Sequence, residues 1–361
     1  MRRRERAPLR IALLGFGAVG RRFAELLPGP YGRVLRDLGV APVLTGIATA
    51  HHGSSIDPAG LDPAECAAAV WRGQSLDRFH RGRALASSLQ FIRAVPADVL
   101  IEVTPLDPRR GQPATRHVRA ALERGLHVVT ANKGPVAFAR RDLRALARRR
   151  GRHFRHEGAV MDGTPVFNML ERCLPGVQVR AFRGTLNSTT TLILSGMEAG
   201  QTARAALRRA QALGIAEADP TFDLDGWDAA VKVCALANAL WDAALVPTRV
   251  KRTGIGRVSG LDVRRAQRAG ARLRLVARAE RRGRRILASV ALERVPLGDP
   301  LAGDGQDAAL VFTTDLAGEI GVLQRGGTVE QTAYALLADV AFVVSQQIPP
   351  RRGRLEVVAG S

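Results

Sequence analysis

As far as residue 156, short apolar runs alternate with longer stretches whose apolar residues recur at helical spacing. The runs at 9–14 (LRIALL), 42–47, 97–103 (ADVLIEV) and 126–130 (LHVVT) have strand length, and another short strand is expected near 153–156. Between them, 21–27, 113–124 and 136–149 predict helices, and the polar, basic stretch 51–93 predicts helical insertions. Parallel neighbours in a sheet need a crossover connection, so strands separated by helices predict parallel pairing. The expectation for 1–156 is an α/β, Rossmann-type doubly wound parallel sheet.

Beyond residue 156 the alternation lapses. A strand is expected at 177–186, helices at 189–198, 203–213 and 225–241, strands at 286–293 and 308–313, and a closing helix at 329–344. Asp225 is the expected N-cap of the 225–241 helix. This mixture predicts an α+β catalytic and dimerisation domain over 157–325. Residues 326–361 follow it, with a C-terminal helix that returns to the first domain.

Length and composition narrow the class. A chain of 361 residues suffices for two or three domains with substantial cores. The basic start, MRRRERAPLR, resembles a secretory leader, but Gly15, Gly17 and Gly20 interrupt the apolar run that follows. No run reaches the roughly 18 apolar residues of a membrane span. Cys66, Cys173 and Cys234 are too scattered for a disulfide framework or a metal cluster, which fits a reducing cytoplasm. A net charge of +21 invites a nucleic-acid reading. However, the arginines at 140–150, 264–274 and 278–285 lack interleaved aromatics and read mostly as outer faces of helices, so nucleic acid is not the expected partner.

Two local patterns carry chemistry. The turn formed by Gly15, Phe16, Gly17, Ala18, Val19 and Gly20 follows a strand and opens a helix. There Gly15 allows the tight turn, Gly17 admits a pyrophosphate and Gly20 permits close helix packing, which makes 1–156 a dinucleotide-binding domain. The second strand ends in ATAHH without a carboxylate for an adenine ribose, so NADP is expected over NAD. The second pattern concerns lysine. Of 54 Lys and Arg residues only Lys133, Lys232 and Lys251 are lysines, so the chain uses Arg wherever charge alone serves. An ammonium can give up a proton as a guanidinium cannot. Lys232 lies four residues after Asp228, at the end of a stretch holding Glu217, Asp219, Asp223 and Asp225. On one helix face Asp228 and Lys232 can pair, keeping the ammonium protonated and able to donate.

Five segments occur in the order and spacing of the homoserine dehydrogenase family, which the chain resembles in its short form without a C-terminal regulatory domain. They are GFGAVGR, HVVTANKGPVA (127–137), FRGTLNSTT (182–190), GIAEADPTFDLDGWDAAVK (214–232) and, loosely, PLAGDGQDAALVFTTDLAG (300–318). The resemblance spans about 9 to 345. It implies reversible NAD(P)-dependent hydride transfer between L-homoserine and L-aspartate 4-semialdehyde, in threonine, methionine and isoleucine biosynthesis. It implies Lys232 as proton donor, Asp228 as its partner, and Lys133 between cofactor and substrate. Glu217, Asp223 and Asp228 are implied to bind the amino end of the substrate, and Thr104 to join the glycine turn in holding the cofactor. A monovalent cation such as sodium is implied on the backbone of Glu157, Val160 and Asp162, and a homodimer through the second domain. The chain departs from the family at Thr191, commonly Asn, and in its Val160-Met161-Asp162-Gly163 turn.

Two other readings compete. An aldehyde-oxidising relative needs a thiolate nucleophile. None of the three cysteines has a glycine-rich or helix-N-terminal setting, and Cys234 lies inside the Lys232 helix. A dinucleotide sensor or nucleic-acid binder without catalysis would not need the acid–lysine set.

Overall fold

The computed structural model describes residues 6–347. The first half runs β1 (Ala7–Leu14), α1 (Ala18–Leu26), α2 (Arg33–Asp37), β2 (Val40–Ala48), β3 (Ser54–Ile56), α3 (Pro63–Trp71), α4 (Ser88–Ala94), β4 (Val99–Glu102), α5 (Ala114–Glu123), β5 (His127–Thr130), α6 (Lys133–Arg149) and β6 (Phe154–Arg155). Its sheet has the order β3-β2-β1-β4-β5-β6, parallel throughout except for β3, which runs against β2. The expected doubly wound sheet is present, and its order reverses beside β1 and β4. A ligand crevice therefore opens at the carboxyl ends of those two strands. The 51–93 stretch holds α3 and α4, as expected, and also the strand β3, which was not.

The second half runs α7 (Val166–Asn168), β7 (Val179–Thr185), α8 (Ser188–Glu198), α9 (Ala203–Ala212), α10 (Thr221–Leu224), α11 (Trp227–Trp241), β8 (Lys251–Arg252), α12 (Gly260–Arg268), β9 (Ala271–Arg282), β10 (Arg285–Pro296), β11 (Ala308–Thr314), β12 (Glu319–Gln324) and α13 (Val329–Gln347). A mixed sheet, β12-β11-β7-β9-β10-β8, has helices packed on one face. Leu273, Leu275, Ala277 and Ala279 of β9 face the helices, while Val276 and Val295 meet only a small cluster on the other side.

Three expectations need correction. The arginines at 272, 274, 278, 281 and 282 lie on a strand, β9, not on a helix. Arg272, Arg274 and Arg278 alternate with Leu273, Leu275, Ala277 and Ala279 at period two, which strand geometry demands. The helix expected at 225–241 is present as α11, but it starts at Trp227: Asp225 ends the preceding short helix α10 rather than capping α11. The N-cap is Gly226, at φ 76, a conformation that suits glycine. Finally, α6 starts at Lys133 and not at 136, because the Asn132 side chain accepts from the Gly134 amide and caps it.

Two contacts position the site. Asn238 of α11 donates to the Ala137 carbonyl of α6 (2.8 Å), and Arg140 donates to the Asn238 carbonyl (3.3 Å). These bonds hold the start of α6 against α11. The closing helix α13 returns to the first sheet, as expected: Ala333, Leu336, Leu337 and Val340 share a core with Leu13, Phe23 and Val129. Its buried Asp339 accepts from Arg155 Nε (3.1 Å) and from the Glu157 amide (2.8 Å). Residues 348–361, the end of the expected third unit, lie outside the described residues.

Candidate active site

The glycine turn sits at the crevice. Gly15 has φ 102, and a Cβ there would lie 2.5 Å from the Val103 carbonyl oxygen. A Cβ on Gly20 would lie 2.5 Å from the Gly15 oxygen, so α1 packs directly on the turn. Gly17, the N-cap of α1, differs: a Cβ there meets nothing within 4 Å. No side chain caps α1, so its first amides face that open space. Phe16 is buried, Gly17 and Ala18 are exposed, and Val19 lines a cleft of about 280 Å³ with Val103, Thr104, Leu106, Ala131, Asn132, Lys133, Gly158, Asp162 and Thr332. This shape has room for a pyrophosphate at Gly17 and for a flat ring in the cleft beyond Val19.

Buried Glu102, at the end of β4, organises the cleft wall. Its carboxyl accepts from the Thr104 amide (3.0 Å), the Thr104 hydroxyl, and the Thr130 hydroxyl (2.8 Å). Burial raises its pKa despite those bonds. Asn132 donates to the Thr104 carbonyl (2.9 Å) while capping α6, which ties Lys133 to the loop after β4.

The acids and lysines of the sequence meet behind this wall. Asp228 lies 3.3 Å from Lys133 Nζ through one oxygen and 3.4 Å from Lys232 Nζ through the other. Lys232 also donates to the Leu186 carbonyl (2.5 Å). Asn187, the N-cap of α8, shares its amide nitrogen between Asp223 (2.7 Å) and Asp228 (3.1 Å). Burial works against ionised Asp228, but Lys133, Lys232 and Asn187 outweigh it and hold its carboxyl well below the carboxylate range. Burial likewise disfavours the Lys133 ammonium, yet Asp228, with Asp223 and Asp162 beyond it, holds its pKa above that of a free lysine. Asp223 is pushed up by burial and by Asp228. Glu217 stands apart: it is exposed, and only its carbonyl enters a described hydrogen bond, from Gln211 (3.2 Å).

The turn at 157–163 borders the same cleft. The Glu157 carboxylate is taken up by the Phe167 and Asn168 amides, each at 2.8 Å, and burial pushes its pKa up to about 7. Among the described residues no cluster of three acidic, His or Cys side chains could hold a metal. Sequence reasoning passed over Glu102, Asn132, Asn187, Gln324 and Thr332. Only the two asparagines left a trace, as N-cap residues ahead of apolar helices.

Comparison with known proteins agrees across the chain. Residues 15–157 match the profile of the homoserine dehydrogenase NAD-binding domain, and 165–341 match that of homoserine dehydrogenase. An NAD(+)-dependent homoserine dehydrogenase of Pseudomonas canavaninivorans is 38% identical over 336 residues, 92% of this chain and 96% of that one. A homoserine dehydrogenase of Methanocaldococcus jannaschii is 34% identical over 92% of this chain and 98% of its own. Among solved structures, a putative homoserine dehydrogenase from Archaeoglobus fulgidus superposes with TM-score 0.82 at 32% identity, covering 93% of this chain and 99% of that one. A hyperthermophilic archaeal homoserine dehydrogenase in complex with NADPH gives 0.77 at 26%, covering 96% and 100%.

Proposed function

The chain belongs to the homoserine dehydrogenase family, and we propose that Lys232 and Lys133 divide the work of that reaction around Asp228. The activity is NAD(P)-dependent hydride transfer between homoserine and aspartate 4-semialdehyde, in amino-acid biosynthesis. When bound, the nicotinamide supplies or receives the hydride at the carbinol carbon. The chain must supply or receive the accompanying proton. An ammonium has three N–H donors. Lys232 gives one to the Leu186 carbonyl and stands in an ion pair with Asp228 at 3.4 Å, which leaves an N–H for the substrate oxygen. In the reducing direction Lys232 donates that proton to the carbonyl oxygen; in the oxidising direction it takes it back. Lys133, on the cleft wall, orients the substrate between nicotinamide and Lys232. Asp223 and Asp228 bind the substrate ammonium. Glu217 joins them only by an inward movement of the loop at 214–220.

The observation that carries this reading is one carboxylate shared by the chain's two non-surface lysines, Lys133 from the first turn of α6 and Lys232 from one turn further along Asp228's own helix, α11. The test is absorbance of reduced nicotinamide when the purified protein meets L-homoserine with NADP or NAD. No reduction with either would overturn the reading.

The finer assignments follow from the same site. Past β2, the Thr49-Ala50-His51-His52 segment carries no acid. The carboxylate of Asp77, beside Gly53, is occupied by the Ser54 amide (2.8 Å) and Ser75 hydroxyl (2.8 Å). That leaves room for a 2′-phosphate, so the proposed cofactor is NADP. A higher kcat/KM with NAD, as the name of the Pseudomonas relative would suggest, contradicts it. A monovalent cation would rest on the Val160 and Asp162 carbonyls, and on that of Glu157. The Met161 carbonyl is taken by the Thr164 amide (2.8 Å). Activity independent of sodium and potassium would remove this site. The unpaired cysteines support a cytoplasmic setting, which oxidative labelling of Cys173 in cells would contradict.

A further inference from the structure

Asp162 is held in a backbone conformation that favours glycine. Its φ of 41 lies in the left-handed region, which glycine adopts freely and which aspartate tolerates better than most residues, and Gly163 follows it. Backbone geometry alone would be met more easily by a second glycine. What the side chain adds is a fixed charge. One carboxylate oxygen accepts from the Thr332 hydroxyl (3.0 Å) and the other from the Gln324 amide (2.8 Å). Gln324 is itself oriented, since its oxygen accepts from the Thr164 hydroxyl (3.0 Å), so its NH₂ must point to Asp162. Both donors come from the end of the chain, Gln324 from β12 and Thr332 from α13, and both are buried.

The charges around Asp162 are unequally matched. No cation lies within ion-pair distance of it among the described residues. Lys133, across the same cleft, is paired with Asp228. Glu102, behind the lining residue Thr104, is buried with a pKa raised by that burial and bonded to two threonines. An oriented carboxylate outside ion-pair distance of any described cation thus lines the cleft that Val19 of the glycine turn and Lys133 also line. On the reading of that cleft given above, on which this inference rests, the nicotinamide lies there. Oxidised nicotinamide is a cation and reduced nicotinamide is neutral, while the rest of the dinucleotide is the same in both.

We propose that Asp162 discriminates the redox state of the cofactor, its carboxylate favouring the cationic oxidised ring over the neutral reduced one. Thr332 and Gln324 are its positioning residues. The consequence is a bias on the enzyme towards binding oxidised and releasing reduced dinucleotide.

The test measures dissociation constants of NADP, NADPH and 2′-phospho-ADP-ribose, by calorimetry at fixed sodium concentration, for the wild-type chain and two variants. Asp162→Asn removes the charge at constant size, and Asp162→Gly removes it while suiting the backbone better, so folding is preserved in at least one. Both are expected to weaken NADP roughly tenfold while NADPH and 2′-phospho-ADP-ribose change by no more than about twofold. Equal changes for NADP and NADPH, or none, would overturn the proposal and leave the cleft assignment standing. Failure of the wild-type chain to bind any of the three would overturn the cleft assignment, and the proposal with it.

Discussion

A single side-chain amide keeps two carboxylates together in this protein. Asn187 donates to both Asp223 and Asp228, and burial, with the repulsion of Asp228 added to it, raises the pKa of Asp223. It also caps α8 through its oxygen, to the Thr190 amide (2.8 Å). Serine caps helices about as well as asparagine but has no NH₂ to bridge two acids. Asn187→Ser should therefore leave the melting temperature nearly unchanged and raise KM for homoserine about tenfold, with cofactor affinity intact. An unchanged KM would show that the bridge does nothing for the substrate. At this scale the sequence was readable where spacing along one helix sufficed, as for Asp228 and Lys232. The second hydrogen bonds of Asn132 and Asn187 were not readable, because their partners lie on other elements, at Thr104 and Asp223.

Two elements separate function from stability. In the glycine turn, Gly17 and Gly20 look alike in sequence but not in space. A side chain at Gly17 enters open crevice, while one at Gly20 strikes backbone. Gly17→Val should keep the stability of the wild type and lose dinucleotide binding, whereas Gly20→Val should unfold at markedly lower urea. Paired denaturation and cofactor titrations check this, and wild-type binding by Gly17→Val would refute the pyrophosphate assignment. In α5, His117 is buried with Nδ1 unpartnered among the described residues. Burial, with Arg116 adding to it, lowers its pKa from 6.5 to about 4. Below pH 6.5 the unfolded chain takes up a proton that the folded chain resists until about pH 4. The contribution to stability is thus full above that window and lost as pH falls through it, at up to roughly 1.4 kcal/mol per pH unit. His117→Leu should lose less of its urea midpoint between pH 7 and 4.5 than the wild type. An equal loss would place the acid sensitivity elsewhere. The parallel strands of the first sheet were legible because they are short apolar runs, buried on both faces at their centres, whereas the three-residue β3, with two serines, was not. β9 was not, since one of its faces carries arginines, and a dense run of arginine reads as a helix surface unless its period is counted.

At the scale of the molecule, the second sheet leaves one face largely open. A hollow of about 560 Å³ on it is lined by residues including Ala181, Arg183, Arg278, Glu280 and Leu287, with Leu287 exposed. We propose that a second copy of the chain packs there as a homodimer. Sedimentation at twice the chain mass is expected, and Leu287→Arg should return it to the chain mass; a monomeric wild type would contradict this. The proposed active site is assembled across the two halves: Lys133 comes from the first sheet unit, while Asp228 and Lys232 come from α11. No local pattern could foretell that meeting, although each half carried its own signature. The claim that this junction does the chemistry is tested most directly by Lys232→Arg, which keeps the charge and the pairing with Asp228 but cannot readily exchange a proton. Its turnover of homoserine should fall by about two orders of magnitude or more with cofactor binding retained, while Lys251→Arg, on an exposed strand, stays near wild type. Near-normal turnover of Lys232→Arg would contradict the account and reduce the pair to a structural ion bridge.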